Sequence, residues 1–351
     1  MTRLALSSVS SLRRDIGSQC TVLRIHKGRV YAGSQEGTLA CWMTDSGEPV
    51  WQVEMTGPLS DIDFGDDRVY VTESSMVHCL QYDSGEMVWS RELEGSSDYV
   101  VTTNGGVWAT SSVYEIVIGD YTESTIWKFT ESGDVEKTWT ISERCWFFGS
   151  YGEGLLLGLG RPRCGALKVV DGQLEHLELG SGPVTCGAAI GKRILLGHSD
   201  GKISEFGSST ELAGKSPVSA VLGVGDEIIA GFEGGEVASS AGWSHTPGGS
   251  ITALSLGPYP SDNQVIWISL GNEVMVLNKD DGGNVLELSH ECKIGKTDSN
   301  ESLIVLGDTD GIIHFVEDDV LSRRLSDDMA NTGDNARKRE MMDRLRGLRK
   351  S

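Results

Sequence analysis

The sequence of 351 residues contains 45 Gly and 8 Pro without a collagen-like period, which excludes a fibrous protein and suits short strands joined by tight turns. Its net charge of −21 opposes binding of nucleic acid or anionic lipid by the body of the chain. No uncharged apolar run approaches the roughly 20 residues of a membrane-spanning helix, so we expect a globular protein without a membrane span.

The N-terminal segment, Met1 to Arg14, has only Leu-Ala-Leu as an apolar stretch before Ser-rich and basic residues. This stretch is far shorter than the apolar core of a signal peptide. The chain also has seven Cys, an odd number, with no Cys-x-x-Cys pair, which fits a reducing compartment and disfavours a zinc site. We therefore predict a cytoplasmic protein.

Two adjoining segments near the start of the chain are close copies of each other. Residues 28–51, GRVYAGSQEGTLACWMTDSGEPVW, and residues 67–89, DRVYVTESSMVHCLQYDSGEMVW, share Val-Tyr, Cys, Asp-Ser-Gly-Glu and Val-Trp, and the last three recur after 38 residues. Short β-branched and aromatic runs between Gly-containing turns predict strands. Four strands in a unit of about 40 residues predict the blade of a β-propeller.

Later units lose the Asp-Ser-Gly-Glu turn but keep two Gly four residues apart between their second and third strands. Residues 197–201, 231–235 and 307–311 match residues 33–37 of the first unit in this respect. We predict eight four-stranded antiparallel blades in one all-β propeller over residues 1–325. Seven is the alternative, because strand signals are weakest over 213–247. The other predicted units cover 21–55, 59–93, 98–141, 154–179, 264–288 and 303–325.

The third unit carries the only sizeable insertion, SSVYEIVIGDYTES at residues 111–124. This segment is too apolar for a solvated loop, so we predict an extended hairpin that either packs on the propeller or exposes a patch for a partner. Tyr114 and Tyr121 are its predicted partner-binding residues.

Ring closure requires a strand from one end of the chain to complete a blade begun at the other end. Two runs are candidates, Arg3 to Val9 and Asp319 to Leu325.

The chain changes character after residue 325. Residues 326–335 are acidic and polar and predict a linker, whereas residues 336–351 carry a local charge of +5, which leaves −26 on the rest. On a helix, three apolar residues of this basic tail lie on one stripe flanked by Arg. The tail is predicted to dock either on the acidic propeller or on a partner, and nucleic acid is expected to bind only there. The predicted binding residues of the tail are Arg337, Lys338, Arg339, Met341, Arg344, Leu345, Arg346, Leu348 and Arg349.

The first two units resemble the repeats of the pyrroloquinoline-quinone-like, or quinoprotein-dehydrogenase-like, superfamily. The resemblance lies in Val-Tyr-Ala-Gly at 30–33, Gly-Thr-Leu at 37–39 and Ser-Gly-Glu-Pro-Val-Trp at 46–51, and it fades to a generic, WD-repeat-like pattern beyond residue 89. It implies the propeller fold. It does not imply one function, since the superfamily includes dehydrogenases, outer-membrane assembly factors and scaffolds.

Catalytic chemistry finds little support in the sequence. The dehydrogenases that the repeats resemble carry a vicinal Cys pair, which this chain lacks. Gly-His-Ser-Asp-Gly at 197–201 has the pattern of a nucleophile elbow but joins two predicted strands, so it is interpreted as a hairpin. We predict no catalytic residue, no cofactor and no metal site, because the His are spread along the repeats without the spacing of a ligand pair. These residues are His26, His78, His176, His198, His245, His290 and His314.

The predicted function is a non-catalytic scaffold that binds another protein through loops and the basic tail. The alternative is an enzyme with its active site in the propeller channel, for which Ser60, Asp61 and Asp63 are the best candidates. Other inward-facing hydroxyls are expected to bond the backbone, namely those of Thr185, Ser219 and Thr252. Two sets of repeated residues are interpreted as packing: Cys41 and Cys79 in the core, and Trp51, Trp89 and Trp139 between blades.

Overall fold

The computed structural model describes residues 3–152, 154–179, 182–206, 212–260 and 264–327. Strands within these ranges form eight separate sheets that follow one another along the chain. The innermost strand of each sheet contacts that of the next, and the eighth contacts the first, which closes a ring. The architecture is an eight-bladed β-propeller, and the prediction of eight blades is confirmed.

The N-terminal segment contains β1 (Leu4–Ala5), α1 (Leu6–Val9) and β2 (Leu12–Asp15). Blade 1 comprises β3 (Cys20–His26), β4 (Arg29–Ser34), β5 (Thr38–Met43) and β6 (Pro49–Glu54). Blade 2 comprises β7 (Leu59–Phe64), β8 (Arg68–Glu73), β9 (Met76–Gln81) and β10 (Met87–Glu92). Blade 3 comprises β11 (Ser96–Thr103), β12 (Gly106–Glu115), β13 (Asp120–Phe129) and β14 (Val135–Ile141). Blade 4 comprises β15 (Cys145–Tyr151), β16 (Gly154–Leu159), β17 (Ala166–Val170) and β18 (Gln173–Leu177).

Blade 5 comprises β19 (Val184–Ile190), β20 (Arg193–His198), β21 (Lys202–Glu205) and β22 (Leu212–Ala213). Blade 6 comprises β23 (Val218–Val224), β24 (Glu227–Phe232), β25 (Val237–Ser239) and β26 (Ser244–His245), so the region with the weakest strand signals forms a blade with short outer strands. Blade 7 comprises β27 (Ala253–Gly257), β28 (Val265–Leu270), β29 (Glu273–Asn278) and β30 (Asn284–Ser289). Blade 8 takes β31 (Ile294–Ser299), β32 (Leu303–Asp308) and β33 (Ile312–Glu317) from the end of the array.

The N-terminal segment closes the ring. Strand β2 pairs antiparallel with β33, with Leu12 opposite Phe315, and so supplies the outer strand of blade 8. Strand β1 pairs parallel with β30 at the edge of blade 7. The predicted closing strand at residues 3–9 is therefore displaced: only Leu4–Ala5 is extended there, a helical turn follows, and closure falls to Leu12–Asp15.

The alternative closing strand, residues 319–325, is wrong because this run is helical. The helix α2 spans 318–327 and includes the first two residues of the predicted linker. Leu321 and Leu325, four residues apart, lie on the same side of the helix and are buried in one cluster with Leu6 and Val9 of α1. The helical spacing of these apolar residues favours a helix in this run. A closing strand is not required from it, because β2 supplies that strand.

The two ends of the chain are also joined by a charged side chain. Arg324 of α2 donates from Nη1 to the carbonyl oxygens of Ser8 and Ser10, at 2.8 and 2.5 Å. A charge-assisted hydrogen bond of this kind is stronger than a neutral one. Helix α2 thus covers α1 and holds the segment that leads into the closing strand.

The paired Gly of the repeats have the backbone role expected of tight hairpins. Gly37 and Gly311 have φ of +104° and +89°, a region that side chains disfavour. A Cβ at Gly37 would lie 2.5 Å from the Met55 carbonyl oxygen, and one at Gly311 would lie 2.5 Å from that of Ser18. Both the conformation and the close approach of the next connection therefore require Gly.

Deletion of residues 1–15 is expected to lower the melting temperature by at least several degrees, because the outer strand of blade 8 and the buried Leu6 and Val9 are lost together. Differential scanning calorimetry measures the change. Deletion of residues 1–3 is the control, since Arg3 contributes only a half-exposed ion pair with Glu273. An unchanged melting temperature after the longer deletion would show that the ring closes without β2.

Candidate functional site

The antiparallel order of each blade sorts its connections onto two faces. The turns between second and third strands, and the connections from one blade to the next, lie on one face, here called the upper face. The turns between first and second and between third and fourth strands lie on the lower face. Loops from all eight blades lie on both faces, and the upper face also carries the insertion between β12 and β13, which makes it the candidate face for binding.

As predicted, the insertion of blade 3 forms an extended hairpin, here called the hairpin arm (111–124), and it lies on the upper face. Strands β12 and β13 stay paired as far as Glu115 and Asp120. The rings of Tyr114 and Tyr121 meet edge to face, with centroids 5.1 Å apart. The side chains of the tip, 116–118, are 85, 92 and 68 % exposed, so the arm presents Ile, Val and Ile to solvent.

The base of the arm is fixed to blade 4 by stacked side chains. The guanidinium of Arg144 lies 3.7 Å from the centroid of the Tyr121 ring and 4.4 Å from that of Trp146. It also pairs with the buried Asp98 carboxylate at 3.2 Å, which in turn accepts a hydrogen bond from Ser112 of the arm. Trp146 remains 39 % exposed. A partly exposed cluster of Tyr, Arg and Trp thus lies at the foot of an apolar tip.

The channel is lined by carboxylates that join neighbouring inner strands. Asp63 of blade 2 accepts from the backbone N–H of Thr102 in blade 3 at 2.5 Å, and Asp61 accepts from Val100 at 3.2 Å. At the closing junction, Asp298 of blade 8 accepts from Ile25 of blade 1 at 2.6 Å. These carboxylates therefore hold blades together.

Burial sets the protonation behaviour of these groups. Removal from water raises the pKa of Asp61, Asp63 and Asp298 above the usual carboxyl range, although each accepts hydrogen bonds that favour the ionised form. Burial also lowers the pKa of Lys296, and Arg24 pairs with Asp61 at 3.5 Å. Perturbed groups of both signs are common at active sites, but here the carboxylates already serve as acceptors between strands.

Two of the three hydroxyls expected to bond the backbone do so across blades. Thr185 donates to the carbonyl of Val218 at 2.6 Å and Thr252 to that of Ile294 at 2.8 Å. The expectation is wrong for Ser219, whose buried hydroxyl has no partner among the described residues. Ser60, the third enzyme candidate, lies 3.3 Å from the hydroxyl of Ser97 in the next blade.

The repeated Trp residues lie between blades, as predicted. The indole N–H of Trp51 donates to the Tyr82 carbonyl at 3.0 Å, and that of Trp89 donates to the Glu131 carbonyl at 2.9 Å, in each case in the next blade. Trp139 is placed in the same way against Gly172 at 3.3 Å. Sequence comparison missed a fourth member, Trp243, because its unit lacks the Asp-Ser-Gly-Glu turn.

The other residues singled out in the sequence are two core cysteines, a hairpin turn and the basic tail. Cys41 and Cys79 are fully buried, which confirms their packing role. Residues 197–201 run from the end of β20 through the turn before β21, so the Gly-x-Ser-x-Gly pattern is a hairpin and not a nucleophile elbow. The predicted binding residues of the basic tail, 337–349, lie outside the described residues and stay a prediction.

Two of the seven His converge, against the expectation from their spacing. His290 and His314 are 24 residues apart in the chain, yet their ring centroids are 4.7 Å apart and both face Asp308. His290 lies in the connection between blades 7 and 8, whereas His314 lies in β33. Only the antiparallel register of blade 8 brings them together, so no local motif marks the pair.

A family model described as outer membrane protein assembly factor BamB matches residues 7–107, less than a third of the chain. The resemblance found at residues 28–89 is confirmed by this match. No curated protein matches the sequence significantly.

Solved structures with the same architecture include Sqt1 from Saccharomyces cerevisiae, with a TM-score of 0.71 and 12 % identity over 90 % of this chain and 99 % of that one. BamB from Moraxella catarrhalis aligns with a TM-score of 0.65 and 16 % identity over 88 % of this chain and 96 % of its own. The computationally designed Ika8 protein gives 0.65 and 16 %, covering 87 and 98 %. The chain shares their propeller fold. At these identities the similarity establishes the fold alone.

Among the described residues, no helix has the length and apolar character to span a bilayer.

Replacing Asp61 by Asn is expected to raise the melting temperature at neutral pH by about 1–3 °C. The pKa of Asp61 is raised in the folded protein, so the native state binds the carboxyl proton more tightly than the unfolded state does. Stability therefore falls as the pH rises through the folded-state pKa. The gain should disappear at acid pH, where Asp61 is protonated in both states.

Thermal melts across a pH series, with the exposed Asp45→Asn as control, measure this difference. A lower melting temperature for Asp61→Asn at neutral pH would show instead that the ion pair with Arg24 outweighs the cost of burial.

Proposed function

We propose that the protein is a non-catalytic interaction scaffold that binds another protein through the hairpin arm and the cluster at its base. The observation that supports this most directly is the exposed Ile-Val-Ile tip at 116–118. Single exposed apolar residues are common, but three in sequence at the end of a projecting arm are typical of a binding element.

The composition of the base supports the same proposal. Tyr, Trp and Arg dominate the energetics of protein interfaces, and Tyr121, Arg144 and Trp146 lie stacked together beside the arm. Their positions are fixed by packing and by the Asp98 ion pair before any partner binds, which reduces the entropy lost on association.

The charge around the tip indicates the chemistry of the partner. Glu115, Asp120 and Glu123 surround the apolar tip; the first two are exposed and Glu123 is partly exposed. A complementary surface has an apolar groove with a basic rim, since like charges across an interface are unfavourable. The same charges disfavour nucleic acid at this surface.

The absence of catalysis is part of the proposal. The inner-strand carboxylates accept backbone hydrogen bonds from the next blade, which favours a structural over a catalytic role. The BamB description, an assembly factor, is compatible with a protein that works by binding.

Replacing Ile116, Val117 and Ile118 together by Ser should abolish recovery of the partner while leaving the melting temperature within about a degree, because the three side chains have few contacts in the protein. Val135→Ser, at a side chain 50 % exposed on another strand, is the matched control. A photo-reactive residue at position 117 should cross-link the same partner, and one at 135 should not. Unchanged recovery in the triple Ser variant would refute the proposal.

Deletion of residues 328–351 tests the basic tail separately. Because the deletion keeps α2 and its buried Leu321 and Leu325, the melting temperature should change by no more than about a degree. Loss of partner recovery would assign binding to the tail, and salt-sensitive loss of nucleic-acid binding would identify a polyanion as its ligand. If the deletion unfolds the propeller, the tail is structural.

A further inference from the structure

The cluster formed by His290, Asp308 and His314 is unlike any other polar group in the described part of the propeller. Nε2 of His290 lies 2.7 Å from Oδ2 of Asp308, and Nε2 of His314 lies 4.0 Å from the same oxygen. The ligand-type atoms of the three residues all lie within 4.8 Å of one another. Three different segments contribute: the connection before β31, the end of β32, and β33.

Blade 2 provides an internal comparison, because Glu73 and His78 occupy the positions of Asp308 and His314. There Nε2 of His78 bonds the Glu73 carboxylate at 3.1 Å and Nδ1 bonds the Ser90 hydroxyl at 2.8 Å, so both ring nitrogens have partners. This arrangement needs no ligand to satisfy it.

Blade 8 keeps only half of that arrangement. Nδ1 of His314 bonds the Ser10 hydroxyl at 3.0 Å, but Asp308 is one methylene shorter than Glu73 and does not reach Nε2. Among the described residues this buried nitrogen has no hydrogen-bond partner, although the side chain is only 1 % exposed. An unpaired buried polar atom is destabilising, so its persistence points to a ligand.

The surrounding contacts hold His314 and Asp308 in orientations suited to a cation. The Ser10 hydroxyl donates its proton to the Leu6 carbonyl at 2.8 Å and so accepts from Nδ1–H of His314, which leaves Nε2 as the ring's lone-pair donor. Oδ1 of Asp308 accepts from the backbone N–H groups of Asp310 and Ile312 at 2.9 and 2.8 Å, so Oδ2 faces the two rings. These are the outer contacts that metal-ligating His and carboxylates require.

We propose that His290, Asp308 and His314 bind a divalent transition-metal ion, with Zn²⁺ the best match. Two imidazoles and one carboxylate are a known ligand set for zinc, with the remaining position left to solvent. In a tetrahedral site with bonds of about 2.0–2.1 Å, ligand atoms lie roughly 3.3 Å apart. The observed 2.7 and 4.0 Å from the two imidazoles to the carboxylate lie on either side of this value, and none of the three spacings exceeds 4.8 Å, so small side-chain shifts complete the site.

The position of the site ties the metal to ring closure. Ser10, which orients His314, leads directly into β2, and His290 precedes the first strand of blade 8. The three ligands come together only in the folded blade, and Ser10 orients His314 only when the ring is closed, so an ion held here binds the closed ring more tightly than the opened one. By mass action it stabilises the closed ring over the opened one.

The test uses full-length protein stripped of metal with a chelator and then titrated with Zn²⁺, with calorimetry giving stoichiometry and affinity. One ion per chain is expected, together with a rise in melting temperature. His290→Ala is the primary variant, because this residue lies in a connection and its removal leaves the core intact. It should weaken Zn²⁺ binding at least about 100-fold, and Ser10→Ala should weaken it about 10-fold.

His245→Ala is the matched control, since His245 is a partly exposed His of blade 6 and should leave binding unchanged. Co²⁺ gives a second readout that does not depend on stability, because tetrahedral nitrogen and oxygen ligation produces intense visible absorption, which His290→Ala should abolish. Absence of stoichiometric binding, or equal binding by the wild type and His290→Ala, would overturn the proposal.

Discussion

The contact on which this structure depends is the Trp that each of four blades inserts against a turn of the next. The Cβ that Gly85 lacks would lie 2.7 Å from the Trp51 ring, and the equivalent distances are 2.6 Å for Gly133 against Trp89 and 2.5 Å for Gly282 against Trp243. The indole N–H donates to a carbonyl of the same turn, as Trp243 does to Lys279 at 2.7 Å. Since blades share no backbone ladder along their faces, these packed and bonded rings help fix their spacing.

This contact explains why the sequence predicted the fold so well at its start. The Asp-Ser-Gly-Glu turn and the Trp are the two sides of one interface, so they recur together along the chain. The period of this recurrence identifies the blade as the repeating unit. Closure was harder to predict, because β2 is identified only by its register with Phe315 at the far end of the chain. The contact between His290 and His314 could not be predicted for the same reason. It depends on the register within blade 8, which the spacing of the two residues along the chain does not reveal.

Closing the ring also determines where binding can evolve. Inward-facing carboxylates such as Asp63 and Asp298 accept hydrogen bonds from the neighbouring strand, so replacing them to build a new site costs contacts between blades. The exposed tip of the hairpin arm carries no such contacts between blades. Lengthening β12 and β13 leaves the four-stranded order of blade 3 unchanged, which explains how an apolar tip at 116–118 coexists with a complete ring.

Blade 8 differs from the others because its four strands come from two distant parts of the chain, β2 from the N-terminal segment and β31, β32 and β33 from the end of the array. No short turn connects its outer strand, β2, to β33, so pairing them requires the two ends of the chain to come together. Interactions that hold the N-terminal segment therefore contribute more to stability here than in the other blades. Arg324 on the carbonyls of Ser8 and Ser10 is one such interaction, and the Ser10 bond to His314 is another. A Glu at position 308 would reach His314 as Glu73 reaches His78 and would satisfy the ring within the protein. The shorter Asp308 leaves Nε2 of His314 able to coordinate a metal ion. The same repeat position therefore forms an internal hydrogen bond in blade 2 and is suited to metal binding in blade 8, where the ring closes.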